Sequence, residues 1–137
     1  MKGISPLLSY ATLLAVGFLA VALLLVAVSD FSDDIGKRFT KAQIDFIAES
    51  IRDDIFKLYN SGSEGKISLP IPENIGNKKY LIELNQSELK VKINFKGETI
   101  EVKKDLNINA ILSGSSYPPA LIEMKKYPDI TSIRLIT

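Results

Sequence analysis

The sequence contains no cysteine and no histidine. The first absence excludes disulfides, thiolate metal sites and thiol catalysis, and it leaves the compartment open, because an oxidising environment permits disulfides without requiring them. The second removes the commonest general base and the commonest transition-metal ligand. Carboxylate-held metals and Ser/Lys hydrolysis are what remains of the usual catalytic vocabulary, and neither a cofactor nor an enzymatic activity is expected. An excess of charge is missing too. Lys plus Arg (17) nearly balances Asp plus Glu (16), so no polyelectrolyte partner is implied and nucleic-acid binding is not expected. Proline is absent between Pro6 and Pro70, and charge is absent from Ile4 to Ser29.

That uncharged stretch organises the chain. A hydrocarbon core of about 30 Å needs roughly 20 apolar residues at about 1.5 Å rise each, so the run is predicted to span a membrane with length to spare for tilt. It exceeds the roughly 7–15 residues of a cleaved secretory core. Val28-Ser29-Asp30-Phe31 leads directly into charged, helix-compatible sequence, so the segment is expected to be kept. The 137 residues leave room for one such helix and one small domain of roughly 75–100 residues. Lys2 before the span, with Asp30, Asp33 and Asp34 after it, orients the N-terminus towards the cytoplasm. Ser5 is suited to cap the helix, and Pro6 at the first helical position forfeits no hydrogen bond.

Lys2-Gly3 followed by Ile4-Ser5-Pro6 and an uninterrupted apolar helix resembles the start of an archaeal type IV pilin precursor with its class III signal peptide. The resemblance implies that a prepilin peptidase cuts between Gly3 and Ile4, leaving Ile4 as the mature N-terminus. It covers roughly the first 30 residues closely and the remainder in architecture alone. Two departures stand out. The leader would be three residues, shorter than is usual, and Leu8 occupies the place of the glutamate that bacterial pilins carry there, a residue archaeal members commonly lack. The competing reading is a plain signal anchor, whose helix would stop near the membrane instead of continuing as a stalk.

Continuation is what the next residues suggest. Phe31, Ile35, Phe39, Ala42, Phe46, Ile47, Ile51, Ile55 and Leu58 recur at steps of three and four, which reads as one apolar stripe on a helix. Asp34 precedes Arg38, and Asp53 precedes Lys57, by the favourable acid-first spacing. Gly36 is a weak point, costing about 1 kcal/mol relative to Ala, where a bend is possible. A helix from about residue 5 to 59 would be roughly 80 Å long. Asn60-Ser61-Gly62-Ser63-Glu64-Gly65 should end it, with Gly62 placed just after its C-terminus.

Beyond that break the apolar period changes from 3.6 to 2. Ile67, Leu69 and Ile71, interrupted by Pro70 and Pro72, read as an edge strand or an extended lead-in. Lys79 to Leu84 reads as a strand, and Leu89, Val91, Ile93 and Phe95 alternate with Lys90, Lys92 and Asn94. Lys96-Gly97 marks a tight hairpin turn before Thr99 to Lys103. Leu106, Ile108 and Ala110 continue the alternation, Ala120 to Lys126 is compatible with a short helix, and Ile130 to Ile136 makes a last strand. The expected fold is α+β: a long N-terminal membrane-spanning and stalk helix followed by an antiparallel meander of about five strands on the helix stripe. The expected segments are 1–3 leader, 4–29 membrane and filament-core helix, 30–59 amphipathic continuation and 60–137 β domain.

Candidate sites are few. Asn85-Gln86-Ser87 fits the N-glycosylation pattern at an expected turn, where Asn85 would be the acceptor or an ordinary turn residue. Asp30, Asp33 and Asp34 suit pairing with Lys37 and Arg38 better than a Ca²⁺ site, which needs about six or more oxygens. Lys90, Lys92, Lys96, Lys103 and Lys104 are expected on the solvent face of one hairpin, paired across strands with Glu88, Glu98 and Glu101. Gly114-Ser115-Ser116 lacks the Lys and spacing of a phosphate loop, and Tyr117 on the Ser113–Pro119 loop is a candidate adhesion contact. The pilin resemblance implies a homo-oligomeric helical filament at the cell surface, built by pilus assembly machinery from a membrane-inserted precursor. Its core would comprise Ile4, Pro6, Leu7, Leu8, Leu13, Leu14, Phe18, Leu19, Leu23 and Leu24. The alternative is a permanently membrane-anchored extracytoplasmic binding or accessory protein of a filament or secretion machine.

Overall fold

The computed structural model describes the backbone of residues 5–137, with side chains from Pro6 onward. The fold is α+β. One helix, α1 (Ser5–Ser61), runs without interruption through Gly36 and past the expected end near residue 59. Pro6 lies in its first turn, where its missing N–H has no intrahelical partner. Gly62, at φ 69°, ends it: its N–H donates to the Tyr59 carbonyl at 3.3 Å, a left-handed cap that glycine adopts without steric cost. The Ser61 hydroxyl donates to the Leu58 carbonyl at 2.7 Å and accepts from the Ser63 N–H at 3.3 Å.

The chain divides into two compact units between Arg38 and Phe39. In the first, every large apolar side chain from Leu7 to Val28 is exposed. Thr12 keeps its hydroxyl satisfied by donating to the Leu8 carbonyl at 2.7 Å, and Arg38 pairs with Asp34 at 3.2 Å as the spacing predicts.

The second unit holds the rest of α1 and eight strands: β1 (Gly65–Ser68), β2 (Tyr80–Leu84), β3 (Glu88–Phe95), β4 (Glu98–Asp105), β5 (Ile111–Ser113), β6 (Ser115–Ser116), β7 (Leu121–Lys126) and β8 (Thr131–Ile136). They form two four-stranded sheets in place of the expected five-stranded meander. One has the order β1-β7-β8-β5 and the other β4-β3-β2-β6. All pairs are antiparallel except β5 with β8, which is parallel. The β3–β4 hairpin is in full register from Glu88↔Asp105 to Phe95↔Glu98, and its turn places Lys96 at φ 49° and Gly97 at φ 81°. Two consecutive positive φ values define a type I′ turn, whose twist matches that of the flanking strands.

Two local expectations are corrected. Residues Leu121–Lys126 form β7 and not a helix, because pairing with β1 on one side and β8 on the other overrides the helix propensity of Leu-Ile-Glu-Met-Lys-Lys. Leu106 is buried, but residues 106–110 are a connection and not a strand; the Leu106 N–H donates to the Ser87 carbonyl at 2.7 Å before the chain crosses to β5.

One core joins the second unit. Ile44, Ile47, Ala48, Ile51, Ile55 and Leu58 of α1 are buried with Tyr80, Ile82, Leu89, Val91 and Ile93 of one sheet and Ile122, Met124, Ile133 and Leu135 of the other.

Candidate interaction surfaces

The nine-residue helix stripe read from the sequence is two stripes. At 3.6 residues per turn, Phe39, Ala42 and Phe46 point roughly 160° away from the mean direction of Ile44, Ile47, Ala48, Ile51, Ile55 and Leu58. The second set carries the β unit. The first does not: Phe39 is 63% and Phe46 76% exposed. In the N-terminal unit, Phe31 and Ile35 are exposed.

Phe46 borders an apolar groove of about 450 Å³. Ala42, Gln43, Phe46, Ile47 and Ser50 line it from α1, and Pro70, Ile71, Pro72, Asn74, Ile75 and Gly76 line it from the β1–β2 connection. None of the eleven is charged. The connection cannot join the sheet because Pro70 and Pro72 lack donors, and it is pinned in place instead. The Leu69 N–H donates to the Ala120 carbonyl at 3.0 Å, the Ile71 N–H to the Leu69 carbonyl at 2.9 Å, and Ile75 and Lys78 exchange hydrogen bonds of 2.9 and 3.2 Å around Gly76, at φ 62°. The hydroxyl of fully buried Tyr80 donates to the Pro72 carbonyl. Burial pushes its pKa up to about 12, so the phenol remains a donor throughout the physiological range.

Charged groups sit elsewhere, in small paired sets. Lys104 bridges Asp45 at 2.9 Å and Glu49 at 3.2 Å on α1, and its pKa is raised chiefly by the hydrogen bond to Asp45 and then by that to Glu49. It therefore leaves the solvent-facing lysine row expected of the hairpin: the register sets it opposite Leu89, on the core side. Lys92 pairs with Glu83 of β2 at 3.2 Å, and Lys90 with Glu88 of its own strand at 3.9 Å. Buried Glu123 receives Lys125 at 3.1 Å and Lys66 at 3.6 Å. Its carboxyl is held below the usual range, first by the hydrogen bond from Lys125. Among the described residues, no group of three or more Asp or Glu side chains is placed to hold a metal ion.

The expected site residues fall as follows. Gly3 and Ile4 lie outside the described residues. Pro6, Leu7, Leu8, Leu13, Leu14, Phe18, Leu19, Leu23 and Leu24 are all exposed on α1. Asn85 is exposed in the β2–β3 turn, its N–H donating to the Glu88 carbonyl at 2.9 Å, and Tyr117 is exposed. Gly114 is a corner between sheets, and Ser115 and Ser116 belong to β6. Sequence reasoning missed the groove. Its signals were two prolines flanking Ile71 and a helical phase shared by Phe39, Ala42 and Phe46.

These features define an α+β protein with, among the described residues, one helix long and apolar enough to cross a membrane and a β unit that presents an uncharged groove. The chain belongs to a family of unknown function (DUF7266), whose model matches residues 1–135. No curated protein and no solved structure matches it significantly.

Proposed function

We propose that this chain is a structural subunit of an archaeal type IV pilus-like extracellular filament. The observation that carries the reading is α1 itself: an uncharged helical segment whose apolar side chains are all exposed continues without a break into the helix that supports a folded β unit. An all-round apolar helix must be covered, and lipid or neighbouring helices both satisfy it, because its backbone polar groups are already paired internally. A subunit that moves from a bilayer into a fibre exchanges one cover for the other. Lys2-Gly3-Ile4-Ser5-Pro6 supplies the processing site, with cleavage after Gly3 by a prepilin peptidase. Loss of Lys2 takes the formal net charge from +1 to zero, so mature subunits carry little mutual repulsion.

Shearing intact cells tests this reading. Filaments containing the chain are expected in the sheared material and absent from cells that lack it. Recovery of the chain from membranes alone, with the same filaments present in its absence, would leave an anchored extracytoplasmic accessory protein.

A further inference from the structure

We propose that the groove between α1 and the β1–β2 connection receives the uncharged helical segment, residues 7–28, of a second copy of this chain. The inference rests on the filament reading and names one of its contacts. Charge selects the occupant. All eleven residues lining the groove are uncharged, in a chain carrying 17 basic and 16 acidic residues. A partner surface with ordinary charge density would bring an ionic group against Phe46, Ile47 and Ile71, none of which can pair it, and that is costly. Leu7 to Val28 is the stretch of this chain that offers only uncharged side chains and exposes every large apolar one.

The geometry also sets the type of assembly. A groove in one region and its filler in another make a heterologous contact: each copy fills one neighbour's groove and has its own filled by another. Such contacts form rings where the rotation closes and open helical arrays where it does not. The groove suits a packing role because its far wall is fixed beforehand, by the Tyr80 hydroxyl on the Pro72 carbonyl and by the paired Ile75 and Lys78. Little ordering is left to be done on association. Exposed Phe46 stands at the rim as the side chain that gains most from being covered.

The native chain has no cysteine, so disulfide trapping has no background. Full-length chains carrying Ser50→Cys in the groove wall and one further cysteine scanned from Leu7 to Val28 would be expressed in cells, and the sheared material oxidised and run without reductant. Ser50 lines the groove and is half-buried, and Ser→Cys nearly preserves its size, so both the fold and Phe46 are retained. The expected result is a ladder of multiples of the chain mass, for scanned positions recurring every three or four residues, with Lys103→Cys on β4 as a control giving at least tenfold less. Filaments that assemble without a ladder at any position, or equal ladders from both sites, would overturn the groove contact while sparing the filament reading. A product whose mass is not a multiple of the chain would assign the groove to another protein and overturn it too. Absence of the unmodified chain from sheared material would remove the filament reading and this contact together.

Discussion

Gly114 lies against the backbone of Leu135. A Cβ at position 114 would be 2.5 Å from the Leu135 carbonyl oxygen and 3.0 Å from its nitrogen, and the residue is held at φ 114°. The chain changes sheet here: β5 before it pairs with β8, β6 after it pairs with β2, and the Gly114 carbonyl accepts from the Leu84 N–H at 2.8 Å. Only glycine satisfies both the dihedral and the close approach. Gly114→Ala is therefore expected to destabilise the β unit by more than about 2 kcal/mol, read as a lowered denaturant midpoint, because strained backbone and overpacking add. An unchanged midpoint would mean that the sheet junction is not built this way.

The two helix faces predict opposite mutational outcomes. Ile51→Ala empties a fully buried position and should cost about 2–5 kcal/mol. Phe46→Ala, on the exposed phase, should change the stability of the full chain in detergent by less than about 0.5 kcal/mol. Equal losses at the two positions would contradict the division of the stripe.

Acid sensitivity should be traceable to Glu123. Its folded-state pKa lies below the ordinary 4.5, so its stabilisation is present above that value and is lost as pH falls through the folded value. Denaturant midpoints followed from pH 7 downward should fall less steeply for Glu123→Gln than for the native chain. Parallel curves would show that the Lys125–Glu123–Lys66 set does not shape the acid limb.

At alkaline pH the sign reverses. Tyr80 is raised from 10.0 to about 12 by burial, so the unfolded chain loses its phenolic proton first and stability falls as pH rises across that interval. Lys104, raised above 10.5 by Asp45 and Glu49, acts in the same direction: its contribution is complete below 10.5 and is lost through the folded value. Tyr80→Phe should flatten the decline between pH 10 and 12. At neutral pH the variant should lose about 1 kcal/mol, the ordinary net worth of a hydrogen bond, here the one to Pro72. A decline identical in the two proteins would contradict this assignment.

What the sequence made legible is what local periodicity encodes. The long helix, the cap at Gly62 and the β3–β4 hairpin follow from neighbours within a few residues, and each is found where the pattern places it. The sheet switch at Gly114, the parallel β5–β8 pair and the strand at Leu121–Lys126 depend on partners far along the chain, for which a short apolar run carries no address. Lys104 shows a signal present but unused. Adjacent strand residues point to opposite faces, so Lys103 and Lys104 could not both join the solvent row. Likewise the helical phase separated Phe39 and Phe46 from Ile51 and Ile55, although all four were apolar. The groove needed the Pro70–Gly76 connection to be placed beside α1, and spacing alone does not supply that.

If residues 4–29 pass from membrane to fibre after processing, as proposed, the intact mass and N-terminal sequence of the chain recovered from the cell surface report it most directly. A chain beginning at Ile4 in sheared extracellular material is the expected result. A chain that begins at Met1 or Lys2 and remains confined to membranes would contradict it.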